Sequence, residues 1–176
     1  MFEIIAAQTA KLVNYNPRAE KHGKVKRPAA TMRVQVVMQA RSLDMLEHGL
    51  YDSLYKQIEN PDDMLATTTR RFSKMAPFAW AFEGKGYTAT IDYGLGGDSD
   101  IELTECAVKS LKVTPEENDI VIYDFNINCT PDERESGILD HRIQEDIVIK
   151  LIAPPPNTVR ELFGEDTEEQ EEEDAA

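Results

Sequence analysis

The sequence predicts a mainly β fold, an antiparallel sandwich or a partly closed barrel with one helix and a disordered acidic C-terminal tail. Three observations carry this. Apolar side chains recur with a period of two in segment after segment; turn signals built on Gly, Pro, Asn and Asp separate those segments; and no regular exchange of strand and helix patterns supports a parallel sheet.

The first strand begins with Phe2, Ile4 and Ala6 and extends through Leu12 and Val13. Met32, Val34, Val36 and Met38 point one way while Arg33, Gln35 and Gln39 point the other, which predicts a second strand with one wet face. Between them Pro17, Gly23 and Pro28 punctuate residues 14–28, read as a long basic hairpin connection. Ser42 is placed to cap a helix over Leu43 to Lys56, where Leu43, Leu46, Leu50 and Leu54 recur at spacings of three and four. Pro61-Asp-Asp marks a loop, and Phe72 to Phe82, with Pro77 and the only tryptophan, Trp80, reads as an irregular or edge strand.

Tyr87, Ala89, Ile91 and Tyr93 restore the alternation, and the glycine-rich run from Gly94 to Asp100 ends that strand in a turn. Ile101 to Val113 supplies a bent strand, Pro115 to Asp119 a turn, and Val121, Tyr123, Phe125, Ile127 and Cys129 the cleanest inward row. After a polar loop from Thr130 to about Gly137, Ile147, Ile149 and Leu151 form the last strand, stopped by Pro154, Pro155 and Pro156. Residues 1–152 thus read as a single domain. A Pro-rich hinge and short apolar segment follow over 153–163, and a tail over 164–176.

A chain of 176 residues can bury one sound core. It has no run of eighteen apolar residues and no basic leader before an apolar segment, so a cytoplasmic protein is expected, away from the membrane. Cys106 and Cys129 lie in alternating apolar stretches and read as reduced core thiols. His22, His48 and His141 are scattered without a second ligand at zinc spacing, so neither a metal nor another cofactor is expected. The Gly94 to Asp100 run lacks the Lys-Ser/Thr of a phosphate loop and the acidic spacing of a calcium loop. No nucleophile elbow, helical histidine pair or two-metal carboxylate set is present, and the clustered Asp140, His141, Glu145 and Asp146 read as a charged approach to a strand. The expectation is a protein that is not an enzyme.

Charge segregation is the main functional signal. Residues 1–41 hold eight bases against Glu3 and Glu20, a local balance of +6; the tail holds eight carboxylates; residues 42–163 sum to −12. An acidic protein can still bind a polyanion through one focused basic face. Arg18, Lys21, Lys24, Lys26 and Arg27 cluster with Tyr15 and His22, and Arg33 follows in the next strand. A cation-rich loop beside a stacking ring suits single-stranded nucleic acid, DNA or RNA; the bland reading is a solvated surface loop. Arg70, Arg71 and Lys74, near Phe72 and Trp80, form a second cation and aromatic cluster, where the bland reading is the stronger because both rings read as core. Tyr87 and Trp80 are further candidate stackers.

The tail carries Glu165, Asp166, Glu168, Glu169, Glu171, Glu172, Glu173 and Asp174 and no large apolar residue, so it cannot offset the entropy of ordering itself. With the preceding Leu162 and Phe163 it is similar to the acidic tails of single-stranded DNA-binding proteins, which compete with DNA for the basic groove and dock partner enzymes. It departs from the bacterial pattern in ending Asp174-Ala-Ala instead of in an aromatic residue, so docking would fall to Leu162 and Phe163.

The segments Arg18-Ala-Glu-Lys-His-Gly23, Pro28-Ala-Ala30 and Asp92-Tyr-Gly-Leu-Gly-Gly-Asp-Ser-Asp100 resemble a family of small uncharacterised bacteriophage and prophage proteins encoded in early or recombination regions, over most of residues 8–152. The resemblance implies an intracellular phage origin, in the cytoplasm of a bacterial host cell, with DNA metabolism as the setting, and supplies no catalytic residue. The expected function is a non-catalytic single-stranded DNA-binding or recombination and replication accessory protein, with host or phage DNA-processing enzymes as tail partners and self-association left open. The alternative is an acidic DNA mimic that blocks a host nuclease or CRISPR complex, using Asp98, Asp100, Glu102, Glu105, Glu116, Glu117 and Asp119.

Overall fold

Six long strands close on one another into an antiparallel barrel. The computed structural model describes residues 1–22, 25–58, 67–92 and 100–155, with backbone alone for 21, 22, 25–27, 58 and 67. In chain order these hold β1 (Ile4–His22), β2 (Val25–Gln39), a 3₁₀ turn (Ala40–Met45), α1 (Leu50–Leu54), β3 (Tyr55–Ile58), β4 (Thr67–Arg70), β5 (Phe78–Ala79), β6 (Glu83–Asp92), β7 (Ile101–Glu116), β8 (Ile120–Cys129), α2 (Glu133–His141) and β9 (Asp146–Ile152). Around the ring the order is β1, β2, β8, β7, β6, β9 and back to β1, and every pairing is antiparallel. β6, β7 and β8 form a meander whose fourth strand, β9, returns beside β6, a Greek key. Of the two architectures the sequence allowed, the barrel is the one adopted.

The ring closes because β7 is bent twice. Ile101 and Leu103 face inward, Glu105 sits at φ 54, Cys106 and Val108 face inward, Ser110 sits at φ 58, and Leu111 and Val113 face inward again. Each extra residue shifts the inward parity by one and bends the strand. The first half of β7 therefore serves β6 and the second half serves β8. Val13 does the same in β1: the register slips between Leu12 and Asn14, so Leu12 and Tyr15, three apart, both point into the core.

The interior is filled by the inward rows, among them Val34 and Val36 of β2, Phe125 and Ile127 of β8 and Ile149 and Leu151 of β9. Phe2 seats its ring edge-on against Tyr123 and Phe125, at centroid distances of 5.0 and 5.2 Å, favourable aromatic geometry. Its carbonyl accepts from the Tyr87 hydroxyl at 3.1 Å. Buried side chains cover the two ends differently. The 3₁₀ turn lays Leu43 over one, and α2 lays Leu139 over the other, beside β1.

Several local expectations need correction. Residues 14–22 and 25–28 are not a loop: β1 and β2 stay paired from Ala10 with Val36 out to His22 with Val25. Asn16 to Glu20 are all exposed, so no buried apolar row marks the strand there. The helix expected over 43–56 is broken into the 3₁₀ turn, α1 and β3. Asp44 Oδ1 accepts from the N–H groups of Gly49 and Tyr51, both at 3.1 Å, and Gly49 turns the chain at φ 81, a conformation unfavourable to residues with a Cβ. Ser42 does not cap a helix; its hydroxyl donates to the Gln39 carbonyl at 2.7 Å and bonds the Tyr123 hydroxyl. The loop expected from Thr130 is α2, opened by a reciprocal Asp132 and Glu135 capping box. Ala6 faces outward, since the register between β1 and β9 slips between Ile4 and Gln8. Only Phe78–Ala79 of the segment 72–82 pairs as a strand.

Cys106 and Cys129 are free and buried, as read from the sequence. Burial pushes their thiols up to about 11 and about 12 respectively, which leaves them protonated and poorly nucleophilic. The turn over 94–99, Tyr93 and everything beyond residue 155, including Leu162, Phe163 and the acidic tail, lie outside the described residues. Among the described residues no helix is long and apolar enough to cross a membrane.

Candidate nucleic-acid interface

β1 pairs with β9 only as far as Lys11, and β2 pairs with β8 only from Ala30 onward. Pro17 to His22 and Val25 to Ala29 therefore continue beyond the wall as a two-stranded ribbon. Five residue pairs, from Arg18 with Ala29 to His22 with Val25, at a strand rise of about 3.4 Å make it about 17 Å long. Its span holds Arg18, Lys21, Lys24, Lys26 and Arg27 against the single carboxylate of Glu20. The register sets Glu20 opposite Arg27 and Lys21 opposite Lys26. Lys24 and the side chains of Lys21, Lys26 and Arg27 lie outside the described residues. At the ribbon's base Tyr15 bonds Ser136 of α2 at 2.7 Å.

That contact corrects one expectation. Tyr15 is 4% exposed, with burial raising its hydroxyl above the usual tyrosine range, so its ring is core and offers no face to a base. Tyr87, at 1%, is removed from the candidate stackers for the same reason. Trp80 is half-buried, edge-on to Phe78 at 6.4 Å. Phe72 is 57% exposed and is the solvent-facing ring of its cluster.

The arginines are individually engaged. Arg18 Nε donates to Glu20 Oε1 at 2.8 Å, and its terminal nitrogen reaches the Thr31 hydroxyl. Arg33 forms a two-pronged pair with Asp124 at 2.8 and 2.7 Å, which raises its pKa. Arg70 donates to Glu117 at 2.9 Å and to the Pro115 carbonyl at 3.2 Å. Arg71 Nε is held by the carbonyls of Asp52 and Tyr55, each at 2.8 Å. Lys74 is exposed and has no polar partner among the described residues. Arg70, Arg71 and Lys74 belong to the 3₁₀-turn end of the barrel and the ribbon to the other, so the two basic clusters do not merge.

Around Arg33, already a candidate, the fold brings forward residues that sequence reasoning missed. The outer wall of β2, β8 and β7 presents Thr31, Arg33 and Gln35, then Asn128, Asn126 and Asp124, then Lys109 and Lys112, set in rows by the registers Lys109 to Asn126 and Lys112 to Asp124. Thr31 donates to Asn128 Oδ1 at 2.8 Å, which carries the row that starts at Arg18 across three strands. Lys109 and Lys112 form no ion pair among the described residues. Both lysines face out only because the Ser110 bulge lies between them, and a bulge leaves no mark in an alternation count.

The acidic span is divided. Asp100, Glu102 and Glu105 sit at one end of the 16-residue β7 and Glu116, Glu117 and Asp119 at the other; Asp98 lies outside the described residues. Glu117 is paired with Arg70, and Asp119 accepts from the Tyr51 hydroxyl at 2.9 Å. Among the described residues no three His, Cys, Asp or Glu side chains gather as metal ligands. Compared with family models, curated proteins and solved structures, the chain matches none.

Proposed function

We propose that this protein is a non-catalytic single-stranded nucleic-acid-binding protein that grips the sugar-phosphate backbone with the β1–β2 ribbon and the polar wall running from it. The observation that carries the reading is the ribbon itself, whose paired strands hold Arg18, Lys21, Lys26 and Arg27 against one carboxylate on an arm that leaves the barrel. An arm of that kind puts charge where a phosphate chain can reach it without desolvating the barrel, and backbone contact of this sort is tolerant of sequence. Arg33 enters as a fixed wall element, since a carboxylate already satisfies it, while Arg70, paired with Glu117, stands apart at the 3₁₀-turn end. The wall adds Lys109 and Lys112, with amide and hydroxyl groups from Asn126, Asn128 and Thr31 suited to sugar and phosphate oxygens.

In this reading the carboxylates of residues 164–176 act as an internal competitor for the ribbon, and Leu162 and Phe163 offer a hold to partner enzymes. DNA recombination or replication in a phage-infected cell is the setting implied by the resemblance. The division of the acidic residues between two ends of β7 favours this reading over a DNA mimic, which needs a continuous acidic face.

A gel shift with oligo-dT at low salt tests it. Complexes are expected with the full chain and, more tightly, with the chain truncated after Phe163. Absence of a complex with both sinks the proposal, and inhibition of a host nuclease without DNA binding would transfer the protein to the mimic class.

A further inference from the structure

At the end of the barrel away from the ribbon, the 3₁₀ turn, α1 and β3 enclose a depression of about 280 Å³ lined by Arg41, Tyr51, Asp52, Lys56 and Arg71, among others. Three of those side chains are cations brought from three separate places in the sequence. None forms an ion pair among the described residues. Their geometry nevertheless fixes two of them. The Arg41 guanidinium lies 4.9 Å from the centroid of the Tyr51 ring. That ring is stacked on Tyr55 at 5.5 Å with an interplanar angle of 15°, and its hydroxyl is tied to Asp119. Among the described residues Arg71 bonds only through its Nε, to the carbonyls of Asp52 and Tyr55, so its two terminal nitrogens keep their donors. Lys56 and Gln57 stand exposed at the start of β3.

We infer that this depression is a binding site for a phosphate-bearing anion. Gathering three cations around one cavity is unfavourable unless a counter-charge occupies it, and among the described residues Asp52 is the only carboxylate in the lining. Two guanidinium groups present planar pairs of N–H donors that match phosphate oxygens, with the Lys56 ammonium as a point charge and the Gln57 amide as a neutral donor. The Tyr51 ring under Arg41 and the main-chain carbonyls under Arg71 hold both forks before the ligand arrives, which reduces the ordering cost of binding. The volume suits one phosphate group and a small substituent, either free phosphate or the terminal monoester of a nucleotide chain. The site is remote from the ribbon and stands whether or not the ribbon binds nucleic acid.

Calorimetric titration with inorganic phosphate, in a phosphate-free buffer of low ionic strength, tests the site directly. Saturable binding of one phosphate per chain is expected. The double variant Arg41→Gln, Lys56→Gln should bind at least about tenfold more weakly, because it removes two charge-assisted contacts. Both side chains are exposed and form no ion pair among the described residues, so the melting temperature should stay close to that of the parent, and Lys56→Glu alone gives a second variant with the same expected loss. A thymidine trinucleotide with a 5′-phosphate that binds more tightly than its 5′-hydroxyl counterpart assigns the site to a nucleic-acid end. Equal, weaker binding of both trinucleotides beside tight inorganic phosphate assigns it to the free ion. Absence of saturable binding of any phosphate ligand, or affinity unchanged in both variants, overturns the inference.

Discussion

Replacing Lys21, Lys24, Lys26 and Arg27 together by glutamine tests the ribbon as a phosphate-binding arm, and the size of the effect follows from a count of charges. If each of the four contacts one phosphate of a single strand, the ribbon contributes a slope of roughly −3 in log affinity against log salt, at about −0.7 per contact. Between about 50 and 200 mM salt that slope alone lowers affinity roughly 50-fold. Lys109 and Lys112 on the outer wall add two more contacts in the same reading, which takes the parent slope to roughly −4. Fluorescence anisotropy of a labelled oligo-dT across that salt range measures the slope for parent and variant. The four-glutamine variant should retain only the shallow dependence of the wall, near −1.4. The barrel should be unaffected, since β2 joins β8 only from Ala30 onward. A parent slope near zero, or a slope equal in parent and variant, would refute the assignment of these cations to the phosphate backbone.

The remaining predictions concern groups the barrel buries. Tyr15→Phe should leave oligonucleotide affinity unchanged and cost about 1 kcal/mol in urea unfolding, since it deletes only the hydroxyl bonded to Ser136; a large drop in affinity would mean that the ring is a contact after all. Tyr55 and Tyr123, 2% and 0% exposed, have hydroxyls pushed up to about 12 chiefly by burial. The unfolded chain ionises near pH 10 while the folded chain holds these protons, so their contribution is intact below about pH 10 and lost as pH rises toward 12, at most about 3 kcal/mol per ring. Tyrosinate absorbance followed with circular dichroism should show the last rings ionising together with unfolding, and their free titration in a folded barrel would contradict this. Cys106 and Cys129 should react with a thiol reagent only upon denaturation, and rapid labelling of the native protein would contradict their burial.

The alternation of apolar residues made the barrel strands legible. Val34 and Val36, Val121 to Cys129 and Ile147 to Leu151 fall inward as their period requires. What the period could not convey was how many residues separate two inward positions at a bulge. The three-residue step from Leu12 to Tyr15, like those at Glu105 and Ser110, sets the bends and hence the closure. The leucines from Leu43 to Leu54 matched a helix because their spacing is helical, but the Asp44 carboxylate competes for main-chain N–H groups and Gly49 turns the chain. The Asp132 and Glu135 box was present in the sequence and marks a helix start that a composition reading passes over as polar loop.

The candidate interface was legible in part. A cluster of cations around Gly23 is visible in any reading of residues 18–27; that it rides on a paired arm is a matter of register. The carboxylates that neutralise Arg33 and Arg70 come from 91 and 47 residues away, and the phosphate pocket joins Arg41 to Arg71, so neither could be read from sequence neighbours. Long-range β pairing decides which charges meet.

The arm carries a proline in each of its strands, Pro17 in β1 and Pro28 in β2. A projecting pair of strands with open borders is a template onto which another copy could zip, and this protein must be concentrated along a polyanion to act as proposed. Proline has no N–H to give an incoming strand and resists the flat geometry that stacking requires. Copies crowded side by side on one strand of nucleic acid should therefore stay separable, releasing singly when the salt rises instead of fusing into fibrils.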